Sequence, residues 1–197
     1  MLHLKGVEYE VVEEPLRKWT EWMKDWSEKT GERPRVPVLR EVSSDGTETI
    51  FVESNDINFM LDVTHDKQAY TPERESSVYQ EMLDWFSWCD DIFKHQIDRF
   101  KYGENLQFDE NAHIKDTVVL YRMVEKLETV LQKDDYLLEN RLTLADIAVI
   151  PFVRQIMRTR EGEFDFTDFP RTELWTNNML KADWFESIVM QKHPVQL

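Results

Sequence analysis

Apolar and polar residues follow two different patterns, a short-range alternation in the first third of the chain and a helical repeat in the rest. Residues 7–11 alternate with period two and predict a half-buried strand, which follows a helix end at residues 2–5 closed by Gly6. Residues 33–57 predict a strand, a tight turn at an Asp-Gly pair, a second strand and the first turn of a helix. This part of the chain therefore predicts mixed α/β structure.

The rest of the chain has the pattern of amphipathic helices. One long helix is expected over residues 76–102 and a second over residues 109–132, and because a short turn joins them they should pack antiparallel. The apolar stripe of the second helix is assigned to Ile114, Val118, Tyr121, Val124, Leu127 and Leu131. Two shorter helices are expected near the C-terminus, around residues 171–181 and 183–190.

A capping motif predicts the start of another helix within residues 142–153, LTLADIAVIPFV. The side chain of Thr143 can accept a hydrogen bond from the N–H of Asp146, and the Asp146 carboxylate can reach back to the N–H of Thr143. The segment after this capping box is apolar on all sides, which predicts a helix buried between others. Pro151 should bend it.

Composition limits the classes of function. The 197 residues are 41% hydrophobic, enough for one large domain or two small ones. The net charge of −15 disfavours nucleic acid and anionic membranes as partners, because both need clustered Lys and Arg. No apolar run approaches the ~20 residues of a membrane span, and the N-terminus lacks the apolar core of a signal peptide. We therefore expect a cytoplasmic protein, and its one cysteine, Cys89, fits a reducing compartment.

A proline near the start of the first strand of residues 33–57 marks a candidate ligand site. Proline gives up a ladder hydrogen bond, so a strand needs a reason to hold one. A cis Val36–Pro37 bond would turn the backbone of Val36 outward to pair with a ligand, and an edge strand with a proline is the plainer alternative. Glu53 and Ser54 precede the next helix, whose first N–H groups suit a carboxylate.

These motifs resemble those of a known family. VPVL, followed about fifteen residues later by ES and an apolar helix, resembles the glutathione-binding half of the glutathione transferase N-terminal domain. LTLADI resembles the capping box in the core helix of the same family's C-terminal domain. The resemblance implies an incomplete thioredoxin-like α/β domain at residues 1–63, a linker at residues 64–75 and an all-helical glutathione transferase C-terminal domain at residues 76–197.

The resemblance also implies roles for individual residues. Val36, before the cis Pro37, would pair with the cysteinyl backbone of glutathione, and Glu53 with Ser54 would hold its γ-glutamyl end. The glycyl carboxylate would be neutralised by one of three basic residues, Arg17, Lys18 or Arg35. The implied activity is conjugation or thiol transfer to a small electrophile in a homodimer, with glutathione as co-substrate and no other cofactor. The thiolate of glutathione would attack the electrophile.

The chain departs from the family at its N-terminus. In the family, a first strand and most of a first helix precede the helix end seen here at residues 2–5, and they carry the thiol-activating Tyr, Ser or Cys. A truncated chain or a misassigned start is favoured over a natural fold without its central strand. Catalysis is thus implied by the family rather than by this chain. A non-catalytic binding or dimerisation module is the alternative, and a decayed gene fragment is a third reading.

Other candidate chemistry is weaker. Cys89 lies on an apolar helix stripe and is expected to be a packing residue rather than a nucleophile. Asp91, His95 and Asp98 share a helix face that could bind a metal or line the electrophile pocket, but a solvated charged face is favoured and no metal site is predicted. A helix near residues 15–29 should dock on the sheet or a partner rather than form an aromatic ligand platform, and its tryptophans are Trp19, Trp22 and Trp26.

Overall fold

The structure, a computed structural model, describes residues 1–15, 18–65, 69–103, 109–159 and 163–185. The chain divides into two compact units. Unit 1 is Met1–Lys67 with Asp183–Leu197, and unit 2 is Gln68–Ala182. The sequence-based domain limits, residues 1–63 and 76–197 with a linker at residues 64–75, remain a prediction.

Up to residue 65, the described part of unit 1 holds helices and a two-stranded sheet, which is the incomplete thioredoxin-like arrangement that the sequence predicts. Its elements are α1 (Leu2–Lys5), α2 (Glu21–Thr30), β1 (Val38–Val42), β2 (Glu48–Val52) and α3 (Ser54–Thr64).

The two strands form the predicted hairpin. They pair antiparallel, with Val38 opposite Val52 and Val42 opposite Glu48. In the turn, a carboxylate oxygen of Asp45 accepts the N–H of Thr47 at 2.9 Å. Such local Asp bonds stabilise tight turns, so the turn chemistry of the sequence fixes the register of the sheet.

The strand predicted at residues 7–11 is wrong. These residues follow α1 without joining a sheet, and β1 and β2 pair with each other among the described strands. A period-two pattern forms a strand only where a neighbouring edge accepts its backbone hydrogen bonds, and that edge was not visible in the sequence. Tyr9 and Val12 are consequently exposed.

A buried ion pair joins α1 to α3. The Nζ of Lys5, at the end of α1, lies 2.7 Å from Oδ1 of Asp62 in α3, and both side chains are at most 1% exposed. Lys5 also donates to the carbonyl of His65 at 3.1 Å. Gly6 closes α1 in the left-handed conformation with a φ of 63°, as the sequence predicts.

One face of the tryptophan-bearing helix α2 is buried. Thr20 caps it by accepting the N–H of Met23 at 3.3 Å, and Gly31 ends it with a φ of 73°. Met23 and Trp26 are buried, while Trp22 stacks on Trp26 with 6.5 Å between ring centroids. Burial of one face is what a docking helix requires, so the aromatic residues serve mainly in packing.

The regular elements among the described residues of unit 2 are all helices, as the sequence predicts. The helix expected over residues 76–102 is present but contains a wider π-helical turn at Trp88–Phe93, where one residue more is accommodated per turn. The elements are α4 (Ser77–Ser87), the π-helical turn, α5 (Lys94–Tyr102), α6 (Glu110–Leu131), α7 (Leu144–Arg158) and α8 (Pro170–Lys181). Among the described residues, no helix is long and apolar enough to cross a membrane.

The buried face of α6 differs from the predicted stripe. Ile114 and Val118 are 58% and 51% exposed, although the prediction placed both inside. The buried face instead includes two acids, Asp116 and Glu128, together with Leu120, Val124, Leu127 and Leu131. A count of apolar residues could not find this face, because part of it is polar.

Both buried acids of α6 are held by hydrogen bonds from neighbouring helices. Asp116 accepts from Arg99 Nε at 2.9 Å, and its carbonyl accepts from the Gln96 amide at 2.8 Å. Glu128 accepts the N–H groups of Arg171 and Thr172 at 3.1 and 2.8 Å, which caps the start of α8 from another helix. Both carboxylate oxygens of Glu128 are thus hydrogen-bonded, whereas Oδ2 of Asp116 is buried without a hydrogen-bond partner among the described residues.

Thr143 and Asp146 form the capping box at the start of α7. Oδ2 of Asp146 accepts the N–H of Thr143 at 2.9 Å and its hydroxyl at 2.8 Å. Oδ1 accepts the N–H of Leu137 at 2.9 Å and the indole N–H of Trp175 at 3.1 Å. Burial raises the pKa of Asp146, and these hydrogen bonds act in the opposite direction.

Candidate functional site

The loop before β1 presents main-chain groups to solvent. The Val36–Pro37 peptide is cis, and the Val36 side chain is 49% exposed. Among the described residues, none forms a backbone hydrogen bond with Val36. The peptide groups on either side of Val36 are therefore available to an extended ligand that pairs in the manner of a strand.

Glu53, immediately before α3, has a backbone conformation that side chains rarely adopt. Its φ is 66° and its ψ is 123°, in a region that costs a residue other than glycine on the order of 1–3 kcal/mol. Its carbonyl accepts the N–H of Ile57 at 3.0 Å, the first hydrogen bond of α3. Strained positions of this kind concentrate at ligand sites, because the strain fixes a group where a ligand needs it.

The first turn of α3 follows directly. Ser54 is its first residue and is exposed. N–H groups in the first turn of a helix have no acceptor within the helix and carry a partial positive charge, which suits an anionic ligand group. The hydroxyl of Ser54 adds a donor at the same place.

One ion pair brings the two segments together. Arg35, next to Val36, donates through Nη1 to Oε1 of Glu53, and through Nη2 to Oε2 of Glu32. Arg35, Val36, Glu53 and Ser54 therefore lie close together on unit 1. The group combines a cation, a carboxylate, free peptide groups and a helix N-terminus, which together can bind a small zwitterionic peptide.

The structure describes two of the three basic residues expected near a ligand carboxylate. Arg35 lies in this group, in contact with Glu53. Lys18 is exposed in the turn before α2, and Arg17 lies outside the described residues. Glu32 was missed by the sequence analysis. Its signal was modest, an acid three residues before an Arg that itself precedes the Val-Pro pair.

Two candidates in unit 2 have surroundings unlike those of a nucleophile or a metal ligand set. Burial raises the pKa of the Cys89 thiol to about 12, and the thiol is fully buried, so Cys89 is a packing residue. Asp91, His95 and Asp98 are exposed, and no group of three potential metal ligands occurs among the described residues. The solvated charged face favoured by the sequence is what the structure contains.

A groove of about 600 Å³ runs along the outer side of α6 in unit 2. Val118, Tyr121 and Phe169 supply apolar surface, and the hydroxyl of Tyr121 donates to the carbonyl of Asp165 at 3.0 Å. The remaining lining residues are Thr117, Arg122, Glu125, Glu128, Thr129, Gln132 and Asp168. The sequence analysis missed this groove because it assigned Val118 to the core.

Comparison with protein families identifies the helical unit. Residues 92–183 match the model of the glutathione S-transferase C-terminal domain. A search of curated proteins gave no significant match. The match covers α5 to α8 and includes the capping box of Thr143 and Asp146.

Comparison with solved structures extends the likeness to almost the whole chain. A glutathione S-transferase from Rhodospirillum rubrum superimposes with a TM-score of 0.75 at 18% identity, covering 99% of this chain and 87% of that one. The glutathione transferase URE2P6 from Phanerochaete chrysosporium, solved with oxidized glutathione, gives 0.75 at 20% identity, covering 95% and 86%. FzlA from C. crescentus gives 0.71 at 20% identity, covering 88% and 78%. At these identities the comparison establishes the fold.

Proposed function

We propose that the chain is a member of the glutathione S-transferase family, whose C-terminal domain model it matches at residues 92–183, and that it binds glutathione on unit 1. We further propose that it uses glutathione in conjugation or thiol transfer to a small electrophile. The observation that carries the proposal is the Arg35–Glu53 ion pair, because it joins the exposed Val36 backbone to the N-terminus of α3.

Each group of this site suits one part of glutathione. The peptide groups of Val36 can pair with the cysteinyl backbone, and this contact would fix the position of the sulfur. The Glu53 carboxylate can accept a hydrogen bond from the ammonium group of the γ-glutamyl end. The Ser54 hydroxyl and the first N–H groups of α3 can donate to the adjacent carboxylate. Bound in this way, glutathione needs no other cofactor for the transfer.

The reaction requires the glutathione thiol to lose its proton. The thiolate then attacks the electrophile, and a carbon–sulfur or sulfur–sulfur bond forms as the leaving group departs. Two similar solved structures, from Phanerochaete chrysosporium and Pseudomonas putida, hold oxidized glutathione or glutathione disulfide. A homodimer in the cytoplasm is part of the same proposal.

Isothermal titration calorimetry with reduced glutathione tests the binding step. We expect Ser54→Ala to weaken binding about tenfold or more, because a hydrogen bond to a charged group is worth about 1.5–3 kcal/mol. Ser44→Ala, an exposed serine in the hairpin turn, should leave the affinity unchanged. A folded chain that does not bind millimolar glutathione would contradict the proposal.

A second function is favoured by the groove on α6. An apolar surface lined by Val118, Tyr121 and Phe169, with Ile114 exposed nearby on the same helix, suits a binding or dimerisation module without catalysis. Conjugation of glutathione to 1-chloro-2,4-dinitrobenzene separates the two readings. Turnover above the uncatalysed rate supports the transferase, and binding of glutathione without turnover supports the module.

A further inference from the structure

Arg35 holds the carboxylate that the proposed glutathione site offers to the ligand's ammonium group. Its guanidinium is shared between two acids, Glu53 through Nη1 and Glu32 through Nη2. The three side chains are 42–58% exposed. Ion pairs at such exposure are weak, so the guanidinium can be exchanged for another cation at small cost.

Glu32 is anchored independently of the ligand site. Its carbonyl accepts the hydroxyl of Ser27 at 2.5 Å, and its N–H donates to the hydroxyl of Thr30 at 3.2 Å. Both partners belong to the last turns of α2, which Gly31 closes. Glu32 therefore stays fixed to the end of α2, whereas Glu53 is fixed at the start of α3. Arg35 lies between two acids whose backbones are held in place.

We propose that Arg35 is an internal competitor for Glu53, and that Glu32 retains the guanidinium when the ammonium group of glutathione takes its place. This inference rests on the proposed function. The ligand's ammonium and the Arg35 guanidinium need the same carboxylate oxygens, so they exclude each other. Because Glu32 keeps Arg35 paired after the exchange, the displaced cation is not left alone. The site thereby selects peptides whose N-terminal amine is free and charged.

Two substitutions of opposite charge should change the affinity for glutathione in opposite directions. Arg35→Met removes the competitor and should strengthen binding about two- to fivefold, the range expected for one exposed ion pair. Glu32→Gln removes one of the two acids that pair with Arg35, so that Arg35 holds Glu53 more strongly. This substitution should weaken glutathione binding by a similar factor. Calorimetry on the full chain at low salt measures both, and 0.5 M KCl should reduce both effects.

Control variants separate this exchange from general electrostatics. Arg33→Met and Glu28→Gln remove the same charges from nearby exposed positions that have no ion pair with a described residue, and neither should alter the affinity. The gain from Arg35→Met should also vanish in a Glu53→Gln background. For N-acetylated glutathione, which lacks the ammonium group, Arg35→Met should give no gain.

The possible results are distinguishable. Weaker or unchanged binding in Arg35→Met would overturn the inference, because Arg35 would then contact the ligand directly or have no effect. Equal changes in Arg35→Met and Arg33→Met would also overturn it. Failure of the unaltered chain to bind glutathione would contradict the proposed function instead. Circular dichroism of each variant confirms that the compared proteins are folded.

Discussion

The carboxylate of Asp146, in the first turn of α7, accepts the indole N–H of Trp175 in α8 at 3.1 Å. The same carboxylate accepts the N–H of Leu137 and closes the capping box with Thr143. One buried side chain thus ties the start of the central helix to the loop before it and to the last helix of unit 2. The capping box spans only a few residues of sequence, but in the structure its aspartate connects three segments of unit 2.

Replacing Asp146 should be among the most destabilising changes in unit 2. Asp146→Ala leaves several buried donors without an acceptor, and we expect the free energy of unfolding to fall by about 3 kcal/mol or more. Trp175→Phe removes one of these hydrogen bonds and should cost about 1 kcal/mol. Urea denaturation measures both, with the exposed Asp98→Asn as a control. Similar losses in Asp146→Ala and Trp175→Phe would show that the junction does not act as described.

Removing one partner of the buried ion pair in unit 1 should lower stability strongly, whereas replacing both partners with apolar residues should lower it little. Lys5→Met removes the cation that lies 2.7 Å from the buried Asp62 carboxylate, and we expect a loss of about 3–5 kcal/mol. The double variant Lys5→Met with Asp62→Leu should recover most of that loss, because both charges of the pair are then replaced by apolar side chains. Lys24→Met, which breaks an exposed ion pair on α2, should have no measurable effect. Additive losses in the double variant would contradict the pairing.

The thiol of Cys89 should not react in the folded protein. With a pKa of about 12, about one thiol in ten thousand is ionised at pH 8, and the side chain is fully buried. We expect a chromogenic disulfide reagent to label Cys89 only after urea is added. Rapid labelling of the native chain would show that the helix around Cys89 opens readily.

The same thiol predicts a stability change at high pH. Its pKa is raised from 9.0 to about 12 in the folded chain, so the unfolded chain ionises first as pH rises. The stability that Cys89 contributes is therefore fully present below pH 9 and declines between pH 9 and about 12. The difference in unfolding free energy between the unaltered chain and Cys89→Ala should shrink across this window. A constant difference would contradict the shift.

The backbone of Glu53 predicts opposite effects on stability and on binding. Glycine adopts a φ of 66° freely, so Glu53→Gly should raise the unfolding free energy by about 1 kcal/mol while weakening glutathione binding. Glu53→Ala loses the carboxylate without relieving the backbone and should gain no stability. Thermal melting and calorimetry provide the two measurements. A melting temperature lower for Glu53→Gly than for Glu53→Ala would show that the conformation is unstrained.

Local signals in the sequence were sufficient for the hairpin, the capping box and the extents of α6 and α8. Helix α2 begins at Glu21 rather than near residue 15, and most of the helix expected at residues 183–190 lies outside the described residues. Turn residues such as Asp45 and capping residues such as Thr143 act within a few positions of the chain, so their effect can be read directly. The prediction of a strand at residues 7–11 was wrong because a strand depends on a partner edge elsewhere in the fold. The prediction of the buried face of α6 was wrong for a related reason, since Asp116 and Glu128 are buried by partners on α5 and α8.

The candidate site shows the same division. The sequence motifs were sufficient to name Val36, Pro37, Glu53 and Ser54. The roles of these residues toward glutathione remain predictions. The bridge from Glu32 through Arg35 to Glu53 could not be foreseen, because it depends on how the end of α2 meets the start of α3. The groove on α6 was hidden by the wrong choice of buried face.

The π-helical turn at Trp88–Phe93 holds one residue more than an α-helical turn, so the extra residue is absorbed locally and α5 keeps its orientation. A residue inserted at the start of α5, with no such turn to absorb it, would instead rotate all that follows by about 100°. Ile97 and Phe100, now buried, would turn away from the core, and Arg99 would leave Asp116. The wider turn therefore lets this segment carry an additional residue without disturbing the packing of α5.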